Sequence, residues 1–428
     1  MTNRTMTRRD FGSKVITVSA AAAAASLAAP AVLGAAKARV VVIGGGAGGG
    51  TVARYVAKGS DDIAVTLIND SPTYSTCFFS NLYLGGFRSF ESISHSYDTL
   101  AADYGIEVVI DRAAGLDGNG RTVTLANGDT LNYDKAVVAP GIDFKFDAIE
   151  GYGPDAVETM PHAWQAGAQA KNLKRQLLDM EDGGTFVICP PPNPFRCPPG
   201  PYERISMVAH YFKSYKPHSK IVVLDAKNKF SKQKLFEDGW ARYFPDMVEW
   251  LPLDITGGVK AVDVASSTII TDDEKFQASV ANVVPPQKAG QIAQDAGLAD
   301  ESGWCPIVPE TLASLQVPNV HLVGDAIIPG DMPKSGFSAN SQAKVCAQAI
   351  LAELASKQAF KPRFRNTCWS LITTDDSIKV GANYEATEEK IAKIEGFVSQ
   401  ADESDEVRAQ TAAEARAWYD AITADIFG

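Results

Sequence analysis

The segment Arg39–Gly50, RVVVIGGGAGGG, restricts the fold of this chain more than any other. A short run of β-branched residues leads into a glycine-rich turn, and the residues beyond it read as a helix. Gly44, Gly46 and Gly49 stand at the spacing G-x-G-x-x-G. The first glycine permits a tight turn, the second lets a pyrophosphate approach the backbone, and the third lets helix and strand pack closely. The helix start then offers free N–H groups and the positive end of a dipole to phosphates. A second strand, Ala64–Ile68, follows. The segment therefore reads as a dinucleotide site rather than an ordinary tight turn. At the end of the second strand such folds place an acid on the ribose hydroxyls. This chain has Asn69 and then Asp70 there, and either suits the position.

The N-terminus reads as an address. Arg8 and Arg9 are followed by Phe11, Lys14 and the Ala-rich run Val15–Leu33, and either Ala36-Lys37-Ala38, an A-x-A site, or Leu33–Ala36 suits cleavage. This is the pattern of a twin-arginine signal over residues 1–38, which predicts export to the periplasm. Nothing downstream is apolar for long enough to span a bilayer, so no stable membrane insertion is expected. The whole chain carries a formal charge of −11; residues 1–38 hold five Lys/Arg and one Asp, so without them 35 basic residues face 50 acidic ones, a net −15. That balance argues against a nucleic-acid partner. Six cysteines in 428 residues do not make a disulfide scaffold.

Beyond the second strand, Pro72–Gly86 reads as an aromatic-rich loop holding Cys77, placed to pass over a flavin ring. Glu107–Ile110 and Thr122–Leu125 alternate like strands, with a hairpin turn at Asn127-Gly128, and Ala136–Ala139 reads as a buried strand. A second βα unit begins with the strand Gly184–Ile188, but a glycine turn does not follow it. Cys189–Pro201, CPPPNPFRCPPGP, takes its place. Prolines remove the N–H donors that a phosphate cradle needs, so an NAD(P) site is not expected there. Cys197 precedes a helix expected over Tyr202–Tyr215, and a thiol near a helix N-terminus has its thiolate favoured. Glu203 lies in the first turn of that helix. Lys227–Lys234 reads as a charged, solvated loop, and the chain to Phe276 as short strands and turns.

A strand at Val280–Val284 is followed by Asn319–Ala326, whose Gly-Asp ending puts the Asp325 carboxylate where a flavin ribityl hydroxyl would lie. Met332–Ser338 then leads into a helix running to about Glu353. Its start, at Gly336, would point at the flavin pyrimidine and stabilise negative charge on the reduced ring, with Lys334 adding to the effect. In the tail, Asn366-Thr367-Cys368-Trp369 is the reactive-looking spot, and Glu385–Gly428 reads as charged and mostly helical.

Together TYSTCFFSN, APGI, FRCPPGPYER, GWCP, GDA, MPKSGFSANSQ and NTCWS resemble, in order, the flavoprotein subunit of flavocytochrome c sulfide dehydrogenase. The resemblance runs from about Arg39 to Gly428. It implies an α/β fold with two dinucleotide-binding domains, like the disulfide reductases, and a C-terminal α+β domain. The expected boundaries are 39–148 and 279–356 for the two segments of the FAD domain, 149–278 for a second Rossmann-like domain without an NAD site, and 357–428 for the C-terminal domain. It further implies FAD bonded covalently to Cys77, a redox-active disulfide between Cys197 and Cys368, Glu203 as acid/base, and sulfide as substrate. The implied partner is a c-type cytochrome carrying haem c on a separate chain, since no C-x-x-C-H occurs here. Asn69 departs from the acid expected at the ribose. Cys189, Cys305, Cys346 and the five histidines are expected to be structural, and no pair of histidines has metal-ligand spacing.

Overall fold

The computed structural model describes residues 36–358 and 360–428. The expected export signal lies outside these residues except for its last three, and the first strand, β1 (Ala38–Ile43), starts at the third of them. Its centre, Val40–Val42, is fully buried, as both-faced burial in a parallel sheet requires. β1 pairs in parallel with β2 (Ile63–Asn69), which in turn pairs with β3 (Glu107–Ile110). On its other side β1 pairs with β4 (Lys135–Val138). Helix α1 (Ala47–Gly59) makes the first crossover. The turn before it is as tight as the spacing predicts. Gly44 holds φ +97°, and a Cβ on Gly49 would stand 1.8 Å from the Gly44 carbonyl oxygen. The expected loop Pro72–Gly86 is more ordered than its composition suggests, because Ser80–Gly85 closes into a short helix, α2.

The chain then builds a second parallel sheet from β5 (Thr185–Cys189), β6 (Lys220–Leu224), β7 (Val248–Leu251) and β8 (Val280–Val283), in the order β7-β6-β5-β8. Helix α3 (Gly200–Tyr215) crosses from β5 to β6, and Ile205, Val208, Ala209 and Phe212 are fully buried along its core face. The stretch expected as strands and turns contains a helix, α4 (Gln233–Tyr243), whose Phe236 and Trp240 enter the same core. Two neighbouring lysines depart from the solvated loop expected at Lys227–Lys234. Lys227 is buried against Asp225, and Lys232 turns inward at the start of α4.

β9 (Val320–Leu322) returns to the first sheet and pairs with β4, giving the order β9-β4-β1-β2-β3. Helix α5 (Gly336–Leu354) follows and packs on α1. The last unit is an antiparallel sheet of β10 (Arg363–Thr373), β11 (Asp376–Ala386) and β12 (Ile391–Val398), covered by α6 (Asp405–Phe427). Helix α6 meets the helical expectation for Glu385–Gly428 over Asp405–Phe427, and β12 corrects it over Ile391–Val398. Its charged residues sit on an exposed edge strand, where charge blunts further pairing. Helix α6 starts where Ser404 accepts a hydrogen bond from the Val407 N–H, with Asp405 and Glu406 in the first turn. Its far end reaches the first domain, where Ile426 meets Gly50 of α1.

Gly49→Ala should therefore be severe. The methyl group has no room unless strand and helix separate, an overpacking cost of about 1–3 kcal/mol or more. We expect a lowered melting temperature and loss of cofactor from the purified variant; a variant with unchanged melting and full cofactor would contradict the packing described.

Candidate active site

A cavity of about 790 Å³ opens at the C-terminal ends of the first sheet's strands, where open α/β sheets bind ligands. Gly44, Gly46, Asn69, Asp70, Cys77, Asp325 and Gly336 all line it. Gly49 lies behind the turn, as its packing role requires. The structure separates the two ribose candidates. The Asn69 carboxamide is committed, since its Oδ1 accepts the Gly45 N–H at 2.9 Å and its Nδ2 donates to the Ser71 carbonyl at 2.9 Å. Asp70 is exposed toward the cavity. Asn69 thus pins the glycine turn to the end of β2, and Asp70 is the acid left to meet a ligand.

The cavity fits FAD on three observations. A Cβ on Gly46 would press on the Tyr74 ring at 3.1 Å and one on Gly336 would strike the Phe78 ring at 2.7 Å, so both walls depend on glycine. Gly336, the first residue of α5, lines the cavity, which sets the positive end of that helix beside it. Asp325 Oδ1 is buried without a hydrogen-bond partner, an arrangement that a ligand hydroxyl would satisfy. The other Asp325 oxygen lies 3.9 Å from Arg196 Nη1. Burial raises the Asp325 carboxyl, while Arg196 and Lys334 pull it down. Lys334 itself does not line the cavity. Its ammonium donates to the carbonyls of Asp325 (2.8 Å) and Ile327 (2.5 Å) and sits 3.7 Å from the Trp304 ring centroid.

Beside this cavity the structure assembles the predicted thiols. Cys197 and Cys368 are free thiols here, carried by the loop before α3 and by β10. The Cys197 N–H donates to the Lys334 carbonyl at 2.8 Å. The next residue, Ser335, caps α5 and donates through Oγ to Asn366 Oδ1 at 2.7 Å. Asn366 Nδ2 then lies 3.4 Å from Cys368 Sγ. Glu203 closes the cluster, accepting from Asn81 Nδ2 at 2.9 Å and from the Leu371 N–H of β10 at 3.0 Å. Cys197 holds φ +60°, a left-handed conformation that non-glycine residues occupy at a cost and that gathers at functional sites.

Electrostatics here differ from the sequence expectation in one respect. The Cys197 thiol is raised well above its usual range, first by burial and then by Cys368, Glu203 and Cys77, with Arg196 opposing. Withdrawal from water outweighs the helix end. Burial likewise raises Cys368, against Asn366, Lys232 and Ser335, and it raises Cys77, against Arg196. The Glu203 carboxyl is raised by burial and drawn back by Asn81, Leu371 and Lys232. An acid held above its usual range can carry protons closer to neutral pH.

Two cations of this cluster were not singled out in the sequence. Arg196 lines the cavity, donates to the Trp164 carbonyl and bears on Cys77, Asp325 and Cys197. Lys232 reaches β10 from the second domain. Arg196 adjoins Cys197 in sequence, and a cation beside a cysteine is a usable signal; Lys232 has no such neighbour.

In the second domain the acid placed for a nicotinamide dinucleotide's ribose is already engaged. Asp225 ends β6, where such a site presents its ribose acid. It accepts instead from Tyr202 Oη at 2.6 Å, Trp250 Nε1 at 3.0 Å and Lys227 Nζ at 2.6 Å, and Phe230 stacks on Tyr202 at 3.6 Å. Among the described residues no group of three or more His, Cys, Asp or Glu is placed to hold a metal, and no helix is long and apolar enough to cross a membrane.

Residues 170–285 match the family described as "Sulfide dehydrogenase [flavocytochrome c] flavoprotein chain, central", and residues 360–427 the family "Flavocytochrome c sulphide dehydrogenase, flavin-binding". Two stretches of the chain thus match the central and flavin-binding domains of the flavocytochrome c sulfide dehydrogenase flavoprotein. Residues 38–187 match "Pyridine nucleotide-disulphide oxidoreductase". The flavocytochrome c sulfide dehydrogenase matches cover the second sheet and the C-terminal unit, including Cys197, Glu203, Lys232 and Cys368. Mitochondrial sulfide:quinone oxidoreductase of Mus musculus is 22% identical over 243 residues, 52% of this chain and 50% of that protein. Sulfide-quinone reductase of Aquifex aeolicus is 32% identical over 115 residues, 26% of each. The chain thus matches half or less of the length of these curated relatives. A solved structure of the sulfide:quinone oxidoreductase from Aquifex aeolicus shares the fold, with a TM-score of 0.72 at 19% identity over 91% of this chain and 92% of that one.

The cysteines divide by surroundings, and this can be read chemically. Mild oxidation should join Cys197 to Cys368, giving one cross-linked peptide pair under non-reducing digestion. Cys189, Cys305 and Cys346, which are buried, should alkylate only after denaturation. Independent alkylation of Cys197 and Cys368 after oxidation would contradict the cluster.

Proposed function

We propose that the chain is the sulfide-oxidising flavoprotein subunit of a periplasmic flavocytochrome c, exported by the twin-arginine route, and that its electrons leave to a c-type cytochrome on a separate chain. The observation that carries the reading is the meeting of Cys197, Cys368 and Glu203 beside the cavity that Cys77 lines. The Cys77 thiol would attach the flavin covalently. The glycine turn, Asp70, Asp325 and the start of α5 would hold FAD, which when bound supplies a two-electron acceptor able to release electrons singly.

The thiol chemistry belongs to the protein. Hydrosulfide attacks one sulfur of a Cys197–Cys368 disulfide; a new S–S bond forms as the inter-cysteine bond breaks, leaving a persulfide on one cysteine and a thiolate on the other. Glu203 takes the proton when hydrogen sulfide itself is the form that enters. Lys232 and Arg196 offset the negative charge that accumulates in a dry site. The proline loop holds Cys197 in place and cannot cradle a pyrophosphate, so NADH is not a donor.

A second reading, with quinone as acceptor, draws on the sulfide:quinone oxidoreductases among the relatives. The flavocytochrome c sulfide dehydrogenase matches favour the cytochrome. Comparing a soluble quinone and cytochrome c as acceptors in sulfide-driven turnover distinguishes the two.

The test is an anaerobic titration of the purified flavoprotein. Sulfide should bleach the flavin and NADH should not, and the yellow colour should remain on the Cys77 peptide after acid denaturation. Cys197→Ser and Cys368→Ser should each slow sulfide-dependent bleaching by about 100-fold or more, since each removes a partner of one exchange reaction. Bleaching by NADH, or a serine variant that bleaches normally, would overturn the reading.

A further inference from the structure

Lys232 occupies an unusual position for a lysine. It is the residue before α4, held at φ +61°, and its side chain crosses from the second domain to the C-terminal sheet. The ammonium donates to Ser370 Oγ at 2.8 Å, to the Cys368 carbonyl at 3.3 Å and to the Ile378 carbonyl at 3.4 Å. An ammonium has three protons, and these three oxygens take them all. Each acceptor is neutral. Among the described residues no carboxylate lies within ion-pair distance of Lys232, whereas Arg196 on the Cys197 side already has Asp325. A cation withdrawn from water without a partner is costly, so its counter-charge has to come from nearby. Burial lowers Lys232 to about 8, and the groups that hold it up are, in order, Cys368, Glu203 and Cys197, with Arg408 opposing. Arg408 is itself paired with Asp376.

We propose that Lys232 is a positioning residue that makes Cys368 the thiolate of the reduced pair. The three hydrogen bonds fix the ammonium under the Cys368 backbone. Asn366 Nδ2, 3.4 Å from Cys368 Sγ, offers that sulfur a hydrogen-bond donor. Loss of the Cys368 proton then gives Lys232 its missing anion, while Cys197 keeps its proton. The groups facing Cys368 are Lys232 at the start of α4, Glu203 on α3, Ser335 at the start of α5, Asn366 on its own strand, Tyr384 on β11, and Cys197. Glu203 and the two thiols are the acids among them that lie near enough to compete. Glu203 already has both oxygens bonded, to Asn81 and to the Leu371 N–H, and lends Lys232 only the remainder of its charge.

This inference rests on reading Cys197 and Cys368 as the reacting pair, and its test uses no sulfide. The flavin-loaded protein is reduced and treated with iodoacetamide across a pH series, and the alkylation of each cysteine is followed by peptide mass. In the wild type Cys368 should titrate at a lower pH than Cys197. Lys232→Met should raise the Cys368 midpoint by about one unit, which slows its alkylation about tenfold below the midpoint, and should leave Cys197 nearly in place. Lys232→Arg should restore the Cys368 midpoint. A wild type in which Cys197 titrates first would overturn the proposal even if Lys232→Met failed to fold. So would a Lys232→Met protein in which neither midpoint moves, or in which both move equally through general loosening. Sulfide bleaching of the wild type reports separately on the function.

Discussion

Two adjacent residues, Lys334 and Ser335, hold the segments that carry Cys197 and Cys368. The Lys334 carbonyl receives the Cys197 N–H, and the Ser335 hydroxyl donates to Asn366, two residues before Cys368. Both lie at the start of α5, whose first residue, Gly336, forms part of the cavity wall. One helix end therefore sets the cavity, the first thiol and the second thiol in a single frame. The contacts are buried hydrogen bonds, each modest in net worth but costly to break singly, because the orphaned group has no water to turn to. That asymmetry gives a site built from three distant parts of the chain a defined geometry.

The same burial sets the electrostatics. Three thiols and two carboxyls in or beside the cavity are all pushed toward their neutral forms by withdrawal from water. Hydrogen-bond donors and cations oppose this, and the cations are distributed unevenly. Arg196 serves Cys77, Asp325 and Cys197 together, while Lys232 bears on Cys368 first, then on Glu203 and Cys197. A redox pair needs such a division, because two equivalent thiolates at close range would repel each other. The second domain shows the opposite use of a buried charge. There Asp225 is enclosed by Tyr202, Trp250 and Lys227, and an acid placed as for a dinucleotide has become part of the packing.

Much of the architecture was legible because it follows periodic or local rules. The glycine spacing at Gly44, Gly46 and Gly49 announces a turn that only glycine can make, and the structure meets it at Gly44 and Gly49 with the expected crowding. Buried parallel strands are runs of Val and Ile, so β1, β4 and β5 could be marked directly. Other features were hidden for physical reasons. β12 reads as helix because an exposed edge strand carries helix-like charge. Lys232 reads as surface because it meets Cys368 across 136 residues of sequence, and no local pattern encodes that contact. Asn69 was an open alternative to Asp70 until its carboxamide was seen to bind Gly45 and Ser71. For Cys197 the residues gave the helix end but not the depth of burial, and burial decides the sign.

The central claim is that the thiol pair and the flavin form one redox unit in one cavity. An anaerobic reductive titration that counts electrons measures this directly. If the claim holds, the oxidised protein takes up two electron pairs per flavin, one for the disulfide and one for the ring, and alkylating Cys368 in reduced protein before reoxidation removes one of them. Uptake of a single pair, unchanged by that alkylation, would show that the cysteines stand outside the electron path and would contradict the account.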